Sequence, residues 1–148
     1  MARLTGARPV GWVFRAGGFT PTERWSLDLA DGRRVFAKRA TQDWLADALR
    51  AEYRTLALFE ADFRCEVVGW EDRERPLLVL EDLREAHWPP PWRPGDVDRV
   101  LATLERMWAL PAEDLPSAED VRTIMSGWRQ IAADPSSFCG WGSGRRGG

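Results

Sequence analysis

Few residues of this 148-residue chain could do chemistry, and two of them are of an unexpected type for their place. Lys38 is the only lysine among 21 basic side chains, in a background where arginine serves wherever positive charge suffices. A lysine kept there points to a site that suits a compact ammonium and not a guanidinium fork. Glu52 is the second such residue. Counted at about 100° per residue, it falls in the middle of the apolar stripe of its expected helix, away from the polar face of Asp47 and Arg54. A carboxylate is rarely buried without a partner. Upstream, Gly17, Gly18 and Thr20 belong to a loop of small residues, 16–22, whose backbone amides can approach an anion closely. An ammonium, a carboxylate able to pair with it and a glycine loop together suit the holding of a phosphate. Each has a plainer reading by itself: a surface strand lysine, a glutamate that snorkels or pairs with arginine, an ordinary turn. The order of the elements favours the joint reading.

Those elements follow from local pattern. Residues 12–15 are a short apolar run that opens a sheet. Residues 25–30 and 34–38 alternate apolar and polar around Asp31-Gly32, the strongest short hairpin signal. A two-residue turn there pairs Leu27 with Phe36 and Trp25 with Lys38, placing all four on one face and apolar neighbours along the lysine stem. Thr41 is the expected N-cap of a helix from about Gln42 to Glu60, with Leu45, Ala48, Leu49, Leu56 and Phe59 as its stripe. Residues 65–70 and 77–80 read as a second strand pair around a polar turn at 71–76, closed by Glu81, Asp82 and Leu83. The prolines of residues 88–94 make a stiff connector or, as the lesser alternative, a ligand for a polyproline-binding partner. A helix from Asp96 to about Leu110 follows, with Val97, Val100, Leu101, Leu104 and Trp108 on one face. Ser117 and Asp120 form a capping box for another that ends near Ala133. Residues 135–148, rich in Gly, Ser and Arg, are expected to be disordered. The fold class is therefore α+β: an antiparallel sheet of about five strands with one packed helix, then two helices.

Composition excludes several functions. A formal charge of −2 with no basic face gives no reason to expect nucleic acid as a partner. No segment is apolar and long enough for a signal peptide or a membrane span, so the expected setting is cytoplasmic and away from membranes. Cys65 and Cys139 share no metal-type spacing and make no disulfide framework. No Gly-Lys-Ser/Thr exists for a P-loop, and no G-x-S-x-G elbow for a serine hydrolase. The sole histidine, His87, reads as an exposed loop residue.

From Ala16 to Leu83 the chain resembles the N-terminal lobe of the aminoglycoside phosphotransferase family, small-molecule kinases with a protein-kinase-like fold. The resemblance is carried by Gly17-Gly18-Phe19-Thr20, by Asp31-Gly32-Arg33-Arg34-Val35-Phe36-Ala37-Lys38, by Ala51-Glu52 and by the hinge-like Leu80-Glu81-Asp82-Leu83. It implies ATP as the bound nucleotide, with Gly17, Gly18 and Thr20 in its phosphate loop. Lys38 would contact the α- and β-phosphates and pair with Glu52. Glu81, Asp82 and Leu83 would offer backbone groups to the adenine. On this reading residues 1–84 are the nucleotide-binding lobe, 85–95 a Pro-rich hinge, 96–134 the helical start of a second lobe and 135–148 a tail.

The departures are as informative. The loop lacks a full G-x-G-x-x-G, and Phe36 stands where these kinases commonly keep a small residue beside the adenine. The catalytic His-Gly-Asp with its following Asn, and the later metal-binding Asp, are absent; His87 is followed by Trp88. Magnesium is expected for the family, but its ligands are not in this sequence. The expectation is a truncated or frameshifted member that holds nucleotide and does not transfer phosphate, with its acceptor unidentified. The alternative is a non-catalytic nucleotide-binding or protein-interaction module. It would dock through Trp88 to Trp92 or an exposed helix face, or self-associate through the apolar face left by a missing lobe.

Overall fold

The computed structural model describes residues 1–18, 20–111, 113, 115 and 131–134. In chain order the elements are α1 (Ala2–Thr5), β1 (Pro9–Phe14), β2 (Glu23–Leu29), β3 (Arg34–Arg39), α2 (Asp43–Leu58), β4 (Val67–Glu71), β5 (Leu77–Glu81), a 3₁₀ turn (Leu83–Glu85) and α3 (Asp96–Trp108). The strands form one antiparallel sheet in the order β1-β2-β3-β5-β4. The fold is α+β, as the alternation and helical stripes imply. Residues Met1–Leu110 form one compact unit and Pro111–Gly148 another. Within the second, residues 131–133 are helical. The capping box at Ser117 and Asp120, Cys139 and the tail from residue 135 lie outside the described residues.

The sheet has a core on each face because its central strands alternate apolar side chains both ways. Leu78 and Leu80 point to α2, where Ala40, Leu45, Ala46 and Leu49 close over them. Val79 points the other way, to Leu27, Leu29, Val35 and Ala37, with Met1 and Leu4 of α1 packed against this second cluster. The short α1, which no sequence signal marks, lies so close to β4 that a Cβ on Gly69 would come within 2.9 Å of the Leu4 Cβ. Burying each such leucine contributes about 1.5–3 kcal/mol relative to exposure.

Local readings need three corrections. The β2–β3 turn holds three residues, not two. The Leu29 amide donates to the Arg33 carbonyl at 2.9 Å and the Gly32 amide to the Leu29 carbonyl at 3.0 Å, with Gly32 at φ 85°. That is a type I turn completed by a left-handed glycine, and it matches strand twist as well as a two-residue turn does. The pairing therefore shifts by one: Lys38 lies opposite Arg24, Ala37 opposite Trp25, Phe36 opposite Ser26 and Val35 opposite Leu27. Since successive side chains alternate faces, Trp25 and Leu27 do not share the face of Phe36 and Lys38. Second, Thr41 is not the N-cap of α2. Its hydroxyl donates to the Pro21 carbonyl at 3.0 Å, and Gln42 takes the cap position. Third, the buried stripe of α2 is Leu45, Ala46 and Leu49, while Ala48 is exposed and Phe59 lies past the helix end. Strands also shift at their ends: β1 begins at Pro9 and β4 at Val67.

Leu78 has no exposure and lies beneath α2, whereas Val13 on the edge strand is half exposed. Leu78→Ala is expected to lower unfolding free energy by about 2–5 kcal/mol, and Val13→Ala by no more than about 0.5 kcal/mol. Urea titration of the two variants beside wild type measures both.

Candidate functional site

Lys38 and Glu52 meet. The lysine projects from β3 on the α2 face, and its Nζ donates to both carboxylate oxygens of Glu52 at 2.6 Å each. The side chains retain 20% and 36% of their exposure. At that exposure the pair contributes roughly 1 kcal/mol or less to stability, so its effect is positional. An ammonium has three donors; Glu52 takes two, which leaves one for a ligand oxygen. The rotation of α2 that aims Glu52 is set by its buried leucines and by Tyr53. The Tyr53 ring stacks on Trp70 of β4 with centroids 4.4 Å apart and planes within 4°.

Gly17 and Gly18 both adopt left-handed backbone, at φ 103° and 89°, which other residues rarely take. Thr20 bonds Thr22 through their hydroxyls at 3.1 Å. The loop they form is anchored to β2 by Arg24 and to the connection after β3 by Thr41. Arg24, the residue that holds the loop, lies opposite Lys38 on the neighbouring strand.

The acidic segment at the end of β5 is engaged with neighbouring protein groups. The Glu81 amide donates to the Glu66 carbonyl, and its carboxylate accepts from the Glu66 amide at 2.9 Å. The Leu83 carbonyl accepts from the Ala86 amide at 3.0 Å and from the Trp88 indole at 2.9 Å. Asp82 turns its carboxylate inward: it retains 3% exposure and accepts from the Arg84 amide, from Nε and Nη2 of Arg84, and from Ser26. Burial opposes ionisation of Asp82, but the bonds from Arg84 and Ser26 outweigh it and hold the carboxyl below its ordinary range. Ser26 in turn accepts from Arg15 Nε at 3.0 Å.

Beside this network opens a cleft of about 430 Å³ walled by Phe36, Leu80, Leu83 and Trp88, with Arg15 and Ser26 at its polar side. Cys65 also lines it, and burial followed by the charge of Glu81 pushes its thiol up. Phe36 and Lys38 share one face of β3, so cleft and ion pair lie on the same side of the sheet. Sequence reasoning missed Arg15, Arg24, Ser26 and Trp88. The first three follow from the alternation of β1 and β2 once the hairpin register is right. The sequence marks Trp88 only as part of a docking segment; its bond to the Leu83 carbonyl depends on the path of a Pro-rich connector. His87 is not the exposed loop residue expected. Its Nε2 lies 3.1 Å from Oδ2 of Asp96, which is buried at the start of α3 and also accepts from the Arg93 amide.

Comparison with known proteins finds no family model that matches the chain and no similar curated protein. Function must therefore be argued from the residues.

Because Asp82 is held below its unfolded pKa, its stabilisation is complete above the ordinary carboxylate range. It is lost as pH falls through the lowered folded value. Asp82→Asn should cost about 1–3 kcal/mol at pH 7, and the deficit relative to wild type should shrink as pH drops below about 4. Thermal melts of both proteins from pH 7 to 2.5 test this; a constant difference would contradict it.

Proposed function

We propose that this chain is the nucleotide-phosphate-holding part of an ATP-dependent small-molecule kinase of the aminoglycoside phosphotransferase type, and that these residues alone do not transfer a phosphoryl group. The observation that carries the reading is the bidentate contact of Lys38 with Glu52 beside a glycine loop and a cleft. Support also comes from the order of elements, with the helix that bears Glu52 inserted between the lysine strand and the next strand pair. In this reading Lys38 places its remaining donor on a phosphate oxygen, and Glu52 keeps the flexible ammonium aimed there. The loop of Gly17, Gly18 and Thr20 lies along the phosphates. A planar base would enter the apolar cleft against Phe36 and Leu80, where Trp88 now bonds the Leu83 carbonyl. A cytoplasmic setting belongs to the same proposal. No helix among the described residues is long and apolar enough to cross a membrane.

Magnesium does not fit the carboxylates brought to this face. Both oxygens of Glu52 are on Lys38, and Asp82 is enclosed by Ser26 and Arg84. The sequence has no His-Gly-Asp, the motif that in this family would take a proton from an acceptor hydroxyl. MgATP at about 100 times its Kd should stabilise the protein by about 2.7 kcal/mol, and Lys38→Ala should abolish that shift. A nucleotide-independent melt contradicts the site, and steady-state phosphoryl transfer by the purified chain contradicts the silence.

A second reading, self-association, is favoured by α3. Val97, Val100, Leu101 and Trp108 lie on one face and are exposed, Trp108 at 72%. If that face joins two copies, sedimentation should show association rising with concentration and lost in Leu101→Asp. A monomer at every concentration excludes it.

A further inference from the structure

The glycine loop is held by a side chain that no motif marks. Nη1 of Arg24 donates to the carbonyls of Gly17 at 2.8 Å, Thr22 at 2.9 Å and Thr20 at 3.2 Å, while Nη2 donates to the Thr20 hydroxyl at 3.1 Å. Arg24 lies directly opposite Lys38 on the neighbouring strand, so the latch and the ammonium rise from one cross-strand pair. Gly18 is shaped around this contact. A Cβ there would come within 2.7 Å of both Cζ and Nη2 of Arg24, and its φ of 89° is unfavourable to any side chain. In a trans peptide the carbonyl and the following amide point in opposite directions. Turning the Gly17 carbonyl onto Arg24 therefore turns the Gly18 N–H away from the guanidinium, where it is available to an anion.

We propose that Arg24 is the positioning residue of the candidate site: its planar fork latches Gly17, Thr20 and Thr22 from the strand position opposite Lys38, and the loop holds a ligand's phosphate only while that latch is closed. The proposal rests on the phosphate-holding reading of the site and adds the residue that pre-organises it. Four acceptors spread over three residues match a guanidinium, whose donors are rigid and divergent. An ammonium on a flexible stem cannot bridge them together. Pre-organisation matters here because ordering a loop at the moment of binding subtracts from affinity.

The test is the backbone ¹⁵N order parameters of residues 17, 18, 20 and 22 in the ligand-free protein, together with calorimetric titration of MgATP and of adenosine. Wild type is compared with Arg24→Lys, Arg24→Gln and Gly18→Ala. In all three variants those order parameters should fall from about 0.85 to below about 0.6, and MgATP should bind about tenfold more weakly. Adenosine binding should change less than about twofold, because the base does not touch the loop. Gly18→Ala keeps Arg24 and expels its guanidinium, so it serves where an Arg24 variant fails to fold. Arg24→Lys matching wild type in loop order and in MgATP affinity overturns the latch, since charge alone would then suffice. Equal losses for adenosine and MgATP also overturn it, as they mark general destabilisation. Failure of wild type to bind MgATP overturns the phosphate reading itself, which the order parameters keep distinct from failure of the latch.

Discussion

Gly32 completes the turn between β2 and β3 at φ 85°, and that backbone conformation decides what β2 contributes to each face of the sheet. With three residues in the turn, Arg24 and Ser26 stand beside Lys38 and Phe36. With two, Trp25 and Leu27 would stand there instead, and the cleft side would lose both its loop anchor and its link to Asp82. Strand side chains alternate with a period of two, so a shift of one residue reverses the whole set. The apolar cluster of Leu27, Val35, Ala37 and Val79 under α1 exists on the same condition.

On the face so defined, most charges are committed to protein partners. Glu52 is engaged by Lys38, Asp82 by Arg84 and Ser26, and Arg24 by loop carbonyls and a hydroxyl. The third donor of Lys38 and the Gly18 amide, which the loop geometry turns away from Arg24, are left to donate, and such donors are complementary to an anion.

The Asp82 network does for the cleft what Arg24 does for the loop. It runs from Arg15 after β1 through Ser26 on β2 to Asp82 and Arg84 after β5, with Arg84 also 3.7 Å from Asp28. The network joins three segments of the sheet around one buried carboxylate, beside the cleft that Phe36 lines. Asp82 thereby links these strands through its side chain, a role separate from the backbone contact with a base that the resemblance implies.

Pattern alone determined the α+β class, the five strands, the helix between β3 and β4 and the partnership of Lys38 with Glu52. Each of those depends on local periodicity or on the cost of leaving a charge unpaired near a core, and both can be counted along a chain. Only the tertiary structure decided the turn length at Ala30-Asp31-Gly32, the roles of Arg24 and Asp82 and the occupation of the Leu83 carbonyl by Trp88. Asp31-Gly32 fits a two- or a three-residue turn equally well as text, and the choice falls to packing on both faces of the sheet. A surface arginine, a loop aspartate and a connector tryptophan likewise have no distinguishing local pattern. Their partners lie on other strands or across an irregular loop, so their roles appear only when the chain has closed on itself.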